Sequence, residues 1–208
     1  MEIKVVIDTI CPWCFLGKRK LETTLAREPH LNFKIIWHPH ILNPEIPLNG
    51  IDVDDYINKQ LGGKLKYEKL NSTINKMAKS HNIEFNFSKI KRIPNTIDAH
   101  RMIKLASRQN LDSEMLESIY QNYFFKGNDI GNKSILIDIG VELGFNGLKL
   151  EKYLYSNEDI KKILQENQRG FRSGIVGIPA FIFNQEFSIS GIHDIKILKR
   201  IIKIAEEN

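Results

Sequence analysis

Apolar and polar positions fall into blocks of different period along the chain. Ile3-Lys4-Val5-Val6-Ile7 is short and rich in β-branched residues, and it predicts a buried strand over residues 3–8. From Phe15 to Arg27 the apolar spacing becomes helical, with Cys14, Gly17, Leu21 and Leu25 close to one face. Pro12 suits the first turn of that helix, where a missing N–H costs nothing, and Glu28-Pro29 ends it. Phe33-Lys34-Ile35-Ile36-Trp37 predicts a second strand. The first forty residues therefore read as βαβ, with a crossover long enough for a parallel pair. Pro39, Pro44, Pro47 and Asn49-Gly50 then mark a loop leading out of this unit.

From about residue 51 to 168 the pattern is helical, with no strand of comparable quality. Asp52 to Gln60 and Lys66 to His81 are polar amphipathic stretches. Asn95-Thr96 opens a helix with Ala99, Met102, Ile103 and Ala106 on one face, which leaves His100 and Arg101 on the polar, solvated side. Leu116, Ile119, Tyr120, Tyr123 and Phe124 define a further helix, followed by Gly127. Ser134 to Leu143, closed by Gly144, and Glu158 to Arg169 complete the block. Strand character returns at Ala180-Phe181-Ile182-Phe183. Asn184-Gln185 makes a turn to Phe187-Ser188-Ile189-Ser190. After Gly191 a last helix carries Ile195, Leu198, Ile201, Ile202 and Ala205 on one face. The order is βαβ, a helical block, then ββα. This predicts an α/β protein in which residues 1–48 and 170–208 share one sheet and residues 49–169 form a helical insertion.

Composition limits what such a chain can do. It has 208 residues, of which 42% are hydrophobic and 26% charged, enough to bury a sizeable core without a disordered tract. The net charge of +5 is spread over helical segments that also carry Glu and Asp, so it reads as solvated faces and not as a nucleic-acid surface. No stretch approaches the roughly 20 apolar residues of a membrane helix. Met1-Glu2-Ile3-Lys4 lacks the charged and apolar regions of a signal peptide, and the expectation is a cytoplasmic protein without membrane or nucleic-acid partners.

The chemistry concentrates in Cys11-Pro12-Trp13-Cys14, which holds the only two cysteines. At a strand–helix junction, CxxC spacing points to a dithiol/disulfide site. Thiol–disulfide exchange needs a thiolate. At a helix N-terminus, unpaired N–H groups and the positive end of the dipole favour that anion at Cys11. Cys14, one turn inward, is expected to be less exposed and less acidic. Two other readings compete: a pair of small buried hydrophobes, or a zinc site completed by His38 and His40.

Four stretches resemble a known family: Cys11-Pro12-Trp13-Cys14-Phe15-Leu16-Gly17-Lys18, Trp37-His38-Pro39, Asn95-Thr96-Ile97-Asp98-Ala99-His100-Arg101 and Gly174-Ile175-Val176-Gly177-Ile178-Pro179-Ala180-Phe181. Together with the element order they resemble the thioredoxin fold of the DsbA family. The likeness is strongest to its FrnE-like oxidoreductases, relatives of 2-hydroxychromene-2-carboxylate isomerase. Gly191-Ile192-His193 and His38-Pro39-His40 depart from the family pattern.

The resemblance implies a redox-active disulfide between Cys11 and Cys14, with Cys11 as nucleophile and no other cofactor or metal. It also implies a cis peptide bond before Pro179, whose loop lies against Cys11. The backbone of Ile178, with Pro12 and Trp13, would then receive substrate, and Asn95 and His100 are pocket candidates. Protein or peptide thiols and disulfides are the expected partners, with glutathione as a further co-substrate. A glutathione-dependent isomerase or transferase acting on a small hydrophobic molecule is the alternative enzyme. The isomerase relatives place serine or a similar residue at the first cysteine position, so Cys11 argues against that branch. A non-catalytic holdase using the helical insertion is the alternative from another class.

Overall fold

The computed structural model describes residues 1–172, 175 and 177–207. They divide into two compact units: residues 1–40 with 164 onward, and residues 41–163.

The first unit is built on a four-stranded sheet. Its strands are β1 (Glu2–Ile7), β2 (Lys34–Pro39), β5 (Ala180–Phe183) and β6 (Phe187–Ser190), in the order β2-β1-β5-β6. β1 runs parallel to β2, with Val5 opposite Trp37 and Ile7 opposite Pro39. β5 pairs antiparallel with β1, Ile3 facing Phe183 and Val6 facing Ala180, and β6 closes the hairpin with Phe183 opposite Phe187. Pro39 is tolerated because β2 is an edge strand and Pro39 is its last residue. Three residues join Phe183 to Phe187, and the first two, Asn184 and Gln185, have positive φ, 48° and 63°, in a turn closed by the Glu186 N–H on the Phe183 carbonyl (3.0 Å). Helices α1 (Pro12–Leu25) and α9 (Ile195–Glu207) pack against one another. Val5, Val6, Cys14, Leu21, Ala180 and Phe183 are sealed from solvent in this unit's core.

The second unit is mainly helical: α2 (Val53–Gln60), α3 (Lys64–Lys79), α4 (Ile97–Ser107), α5 (Asp112–Tyr120), α6 (Lys133–Glu142) and α7 (Gly147–Tyr155). Helix α8 (Ile160–Arg172) begins in this unit and continues in the first. Two features differ from the expectation of helices alone. Strands β3 (Ile51–Asp52) and β4 (Arg92–Ile93) form a two-residue antiparallel ladder. The helix expected around Tyr123 changes after Tyr120 into a π-helical turn, Gln121–Lys126. That turn stops at Gly127, whose φ of 77° suits glycine and whose α-carbon abuts Lys89 so closely that a β-carbon would collide with it.

His100 and Arg101 do not lie on a solvated face. They are 3% and 1% exposed. The Arg101 guanidinium donates to the carbonyls of Tyr153, Leu154, Ser156 and Glu158 and to the Asp98 carboxylate at 2.6 Å. It therefore satisfies the carbonyls that the end of α7 leaves without helical partners. The Tyr153 ring lies under the guanidinium, 4.7 Å from centroid to Cζ. Helix spacing on α4 alone gives no sign of this, because the four carbonyl acceptors come from the end of α7 and the residues just after it.

Candidate active site

The turn from β1 into α1 is short, and its backbone bonds place the cysteines. The Cys11 N–H donates to the Asp8 carbonyl (3.2 Å), folding the chain back over the end of β1. Cys11 is extended (φ −93°, ψ 109°) and occupies the N-cap of α1, with Pro12 following in the first turn. Its carbonyl accepts the N–H groups of Cys14 (3.0 Å) and Phe15 (3.3 Å), which starts the helix. Cys11 thus stands at the positive end of the helix dipole. Cys14, three residues on, points into the core and has no exposed surface.

Both thiols are free. Cys11 is only 4% exposed, so the expected contrast between an outer and an inner sulfur is small in area. The contrast lies in environment. Burial pushes the Cys14 thiol well above its ordinary range, and the hydrogen bond and charge of Cys11 push it further. A hydrogen bond from the Asp8 backbone opposes this, while the Asp8 charge adds to it. Asp8 and Thr9 are themselves fully buried. The sequence offered one sign of this: a carboxylate directly following an apolar strand and three residues before CxxC.

The next turn of α1 carries a buried cation. Lys18 is 2% exposed, and its ammonium pairs with Glu22 at 2.7 Å, towards the far end of the helix from the cysteines. Pro12 and Trp13 are half-buried, as is Ile178, whereas Pro179 is buried. The Ile178–Pro179 peptide bond is cis. The Pro179 carbonyl accepts the N–H of Gly191 at 2.7 Å, continuing the β5–β6 ladder by one step. Gly174 and Val176 of the preceding stretch lie outside the described residues. Gly17 meets this loop directly: a β-carbon placed there would lie 2.7 Å from Pro179 Cγ and 3.1 Å from Phe181 Cζ.

The remaining candidates are placed as follows. Asn95 and His100 are in the helical unit and buried. Asn95 donates to the Ile46 carbonyl (2.8 Å) and accepts the Ile97 N–H (3.1 Å), bracing the entry to α4. The His100 N–H donates to Thr96 O at 3.0 Å. His38 Nε2 lies 2.9 Å from the Glu166 carbonyl. His193 Nε2 lies 2.8 Å from the Ser190 carbonyl, just ahead of α9. Among the described residues no group of three or more His, Cys, Asp or Glu side chains is placed to hold a metal ion. Among them, too, no helix is long and apolar enough to cross a membrane.

A four-stranded mixed sheet, a CxxC opening the helix after its first strand, and a cis-proline loop seated on that helix define a thioredoxin-fold protein. The chain belongs to the DSBA-like thioredoxin domain family, whose family model matches residues 2–203. It is 25% identical over 185 residues to the uncharacterized protein YwbO of Bacillus subtilis, covering 88% of this chain and 86% of that one. Its fold is similar to a probable DsbA oxidoreductase from Streptomyces coelicolor, with a TM-score of 0.90 and 18% identity over 100% of this chain and 91% of that one. It is also similar to the cytosolic disulfide reductase DsbM of Pseudomonas aeruginosa, solved with GSH, with a TM-score of 0.71 and 15% identity over the full length of both.

Proposed function

We propose that the protein is a thiol–disulfide oxidoreductase that exchanges disulfides through Cys11 and Cys14. The observation that carries this reading is the unequal setting of two neighbouring thiols. Cys11 caps a helix N-terminus, and Cys14 is sealed in the core with its thiol held protonated.

In the reducing direction, the Cys11 thiolate attacks one sulfur of a substrate disulfide. A Cys11–substrate disulfide forms, and the other substrate sulfur leaves as a thiolate. Cys14 then loses its proton and attacks Cys11. The Cys11–Cys14 disulfide forms, and the second substrate thiol is released. The substrate gains two electrons and two protons, and the protein dithiol loses them. A thiol such as glutathione, or a partner dithiol, returns the protein to its starting state. The oxidising direction is the same sequence reversed.

Pro12 and Trp13 flank the sulfurs, and the Ile178 backbone before Pro179 receives the substrate segment as an added strand. Proteins or peptides with thiols or disulfides are the substrates, and glutathione is a co-substrate. That last assignment is supported by the likeness to a reductase solved with GSH. The reaction is assigned to the cytoplasm, consistent with a CxxC kept for chemistry in a reducing compartment.

Trapping tests the reading. Cys14→Ser incubated with a disulfide peptide should accumulate a Cys11–peptide mixed disulfide, visible by mass spectrometry and released by dithiothreitol. Cys11→Ser should form none. A wild-type protein that shows no reversible dithiol couple against glutathione or dithiothreitol would overturn it.

A further inference from the structure

Gly17 lies in α1 one turn beyond Cys14, on the buried face. A β-carbon there would stand 2.7 Å from Pro179 Cγ, 3.2 Å from Pro179 Cβ and 3.1 Å from Phe181 Cζ. Neither neighbour can easily yield. Pro179 is buried in a rigid ring, with its carbonyl bonded to Gly191. Phe181 is 1% exposed and paired in the sheet opposite Val5. The absent side chain therefore decides how near the Ile178–Pro179 loop stands to the dithiol helix. The bonds that define the two sulfurs are separate from this contact. They are Cys11 N–H to Asp8 O and Cys14 N–H to Cys11 O, both formed before Gly17 in the chain.

From this separation we infer that Gly17 is a positioning residue for substrate selection. It seats the proline loop so that an extended peptide disulfide is received by the Ile178 backbone while its sulfur reaches Cys11. A small disulfide without a peptide backbone uses the sulfurs alone and does not depend on the seat. The inference rests on the thiol–disulfide reading above and adds to it the residue that sets the preference for disulfides carried on an extended peptide.

The test compares Gly17→Ala with wild type on a disulfide-bonded peptide and on 2-hydroxyethyl disulfide, with dithiothreitol as reductant for both. The expected result is a KM for the peptide raised by about tenfold or more, since a displacement of about 1 Å can cost about 100-fold. The rate with 2-hydroxyethyl disulfide and the Cys11–Cys14 equilibrium with glutathione should stay at wild-type values. Phe181→Leu, which trims the other wall of the seat without adding bulk, should give the same split, and it serves if Gly17→Ala fails to fold. Parallel loss on both substrates, a shifted Cys11–Cys14 equilibrium with glutathione, or no change on either substrate would overturn the inference. A wild-type protein that turns over neither disulfide would instead overturn the thiol–disulfide reading beneath it.

Discussion

In the helical unit the buried Arg101 guanidinium is surrounded by acceptors: four backbone carbonyls, the Asp98 carboxylate and the face of Tyr153. In the thioredoxin-fold unit the buried Cys14 thiol has its deprotonated form opposed by burial and by the charges of Cys11 and Asp8. Both side chains are out of solvent, at 1% and 0%. The Arg101 guanidinium donates to partners that only the fold supplies, so its role is to fix α7 to α4. Cys14 is held protonated in surroundings that resist its ionisation. Burial of a polar group therefore says little until its partners are counted.

That contrast can be broken at either end. Cys11→Ser should abolish disulfide exchange outright, because the hydroxyl is not ionised at neutral pH, while leaving the cooperative unfolding transition in place. Turnover of a peptide disulfide together with a urea melt checks both halves. Arg101→Met should do the reverse. It strips the carbonyls at the end of α7 of their donor and should destabilise the fold by about 3–5 kcal/mol, read as a lower urea midpoint, with the Cys14 titration unmoved.

Tyr153→Phe is a finer cut through the same network. The hydroxyl is shared between the Arg101 carbonyl (3.0 Å) and Asp159 (2.9 Å), and its loss should cost about 1–2 kcal/mol. Burial and the Asp159 carboxylate raise the Tyr153 phenol above its ordinary value of 10.0. The stability it contributes is present below that value and is lost as pH rises beyond it, and the Phe variant should flatten this alkaline slope.

The smallest effect is expected at the surface of the first unit, where Lys199 on α9 lies 2.5 Å from Glu28. Its hydrogen bond holds the Glu28 carboxyl below the ordinary value of 4.5. The contribution is present above that value and is lost as pH falls through the lowered one. Lys199→Ala should remove only this acid-limb slope, seen in melting temperatures between about pH 5 and 3.

The first unit was legible in sequence because its elements advertise themselves locally. The β-branched run of β1, the helical spacing of Cys14, Gly17, Leu21 and Leu25, and the Asn184-Gln185 turn each encode their own geometry. The strand–helix junction that carries Cys11 and Cys14 was legible for the same reason. Helix α7 was not, because Leu148 and Tyr155 are exposed at 73% and 69% and blur any single apolar stripe. It is held by a guanidinium from another helix. Arg101 itself was read as solvated, since no rule of spacing on α4 anticipates acceptors more than fifty residues away. The β3–β4 ladder is only two residues long, too short to leave a pattern, and the π-helical turn has no sequence signature of its own. Cys11 was expected nearer the surface, and the turn bonded to Asp8 draws it in.

The pairing of β1 with β5 joins Ile3 to Phe183 and Val6 to Ala180, nearly opposite ends of the described chain. A ribosome adding roughly 5–20 residues per second needs about 8–34 s to travel from Cys11 to Pro179. Throughout that interval the nascent chain carries both thiols without the proline loop that packs on α1 at Gly17. On the reading proposed above, the protein is for most of its own synthesis a dithiol without its seat for peptides, and it gains selectivity only when its last hairpin arrives.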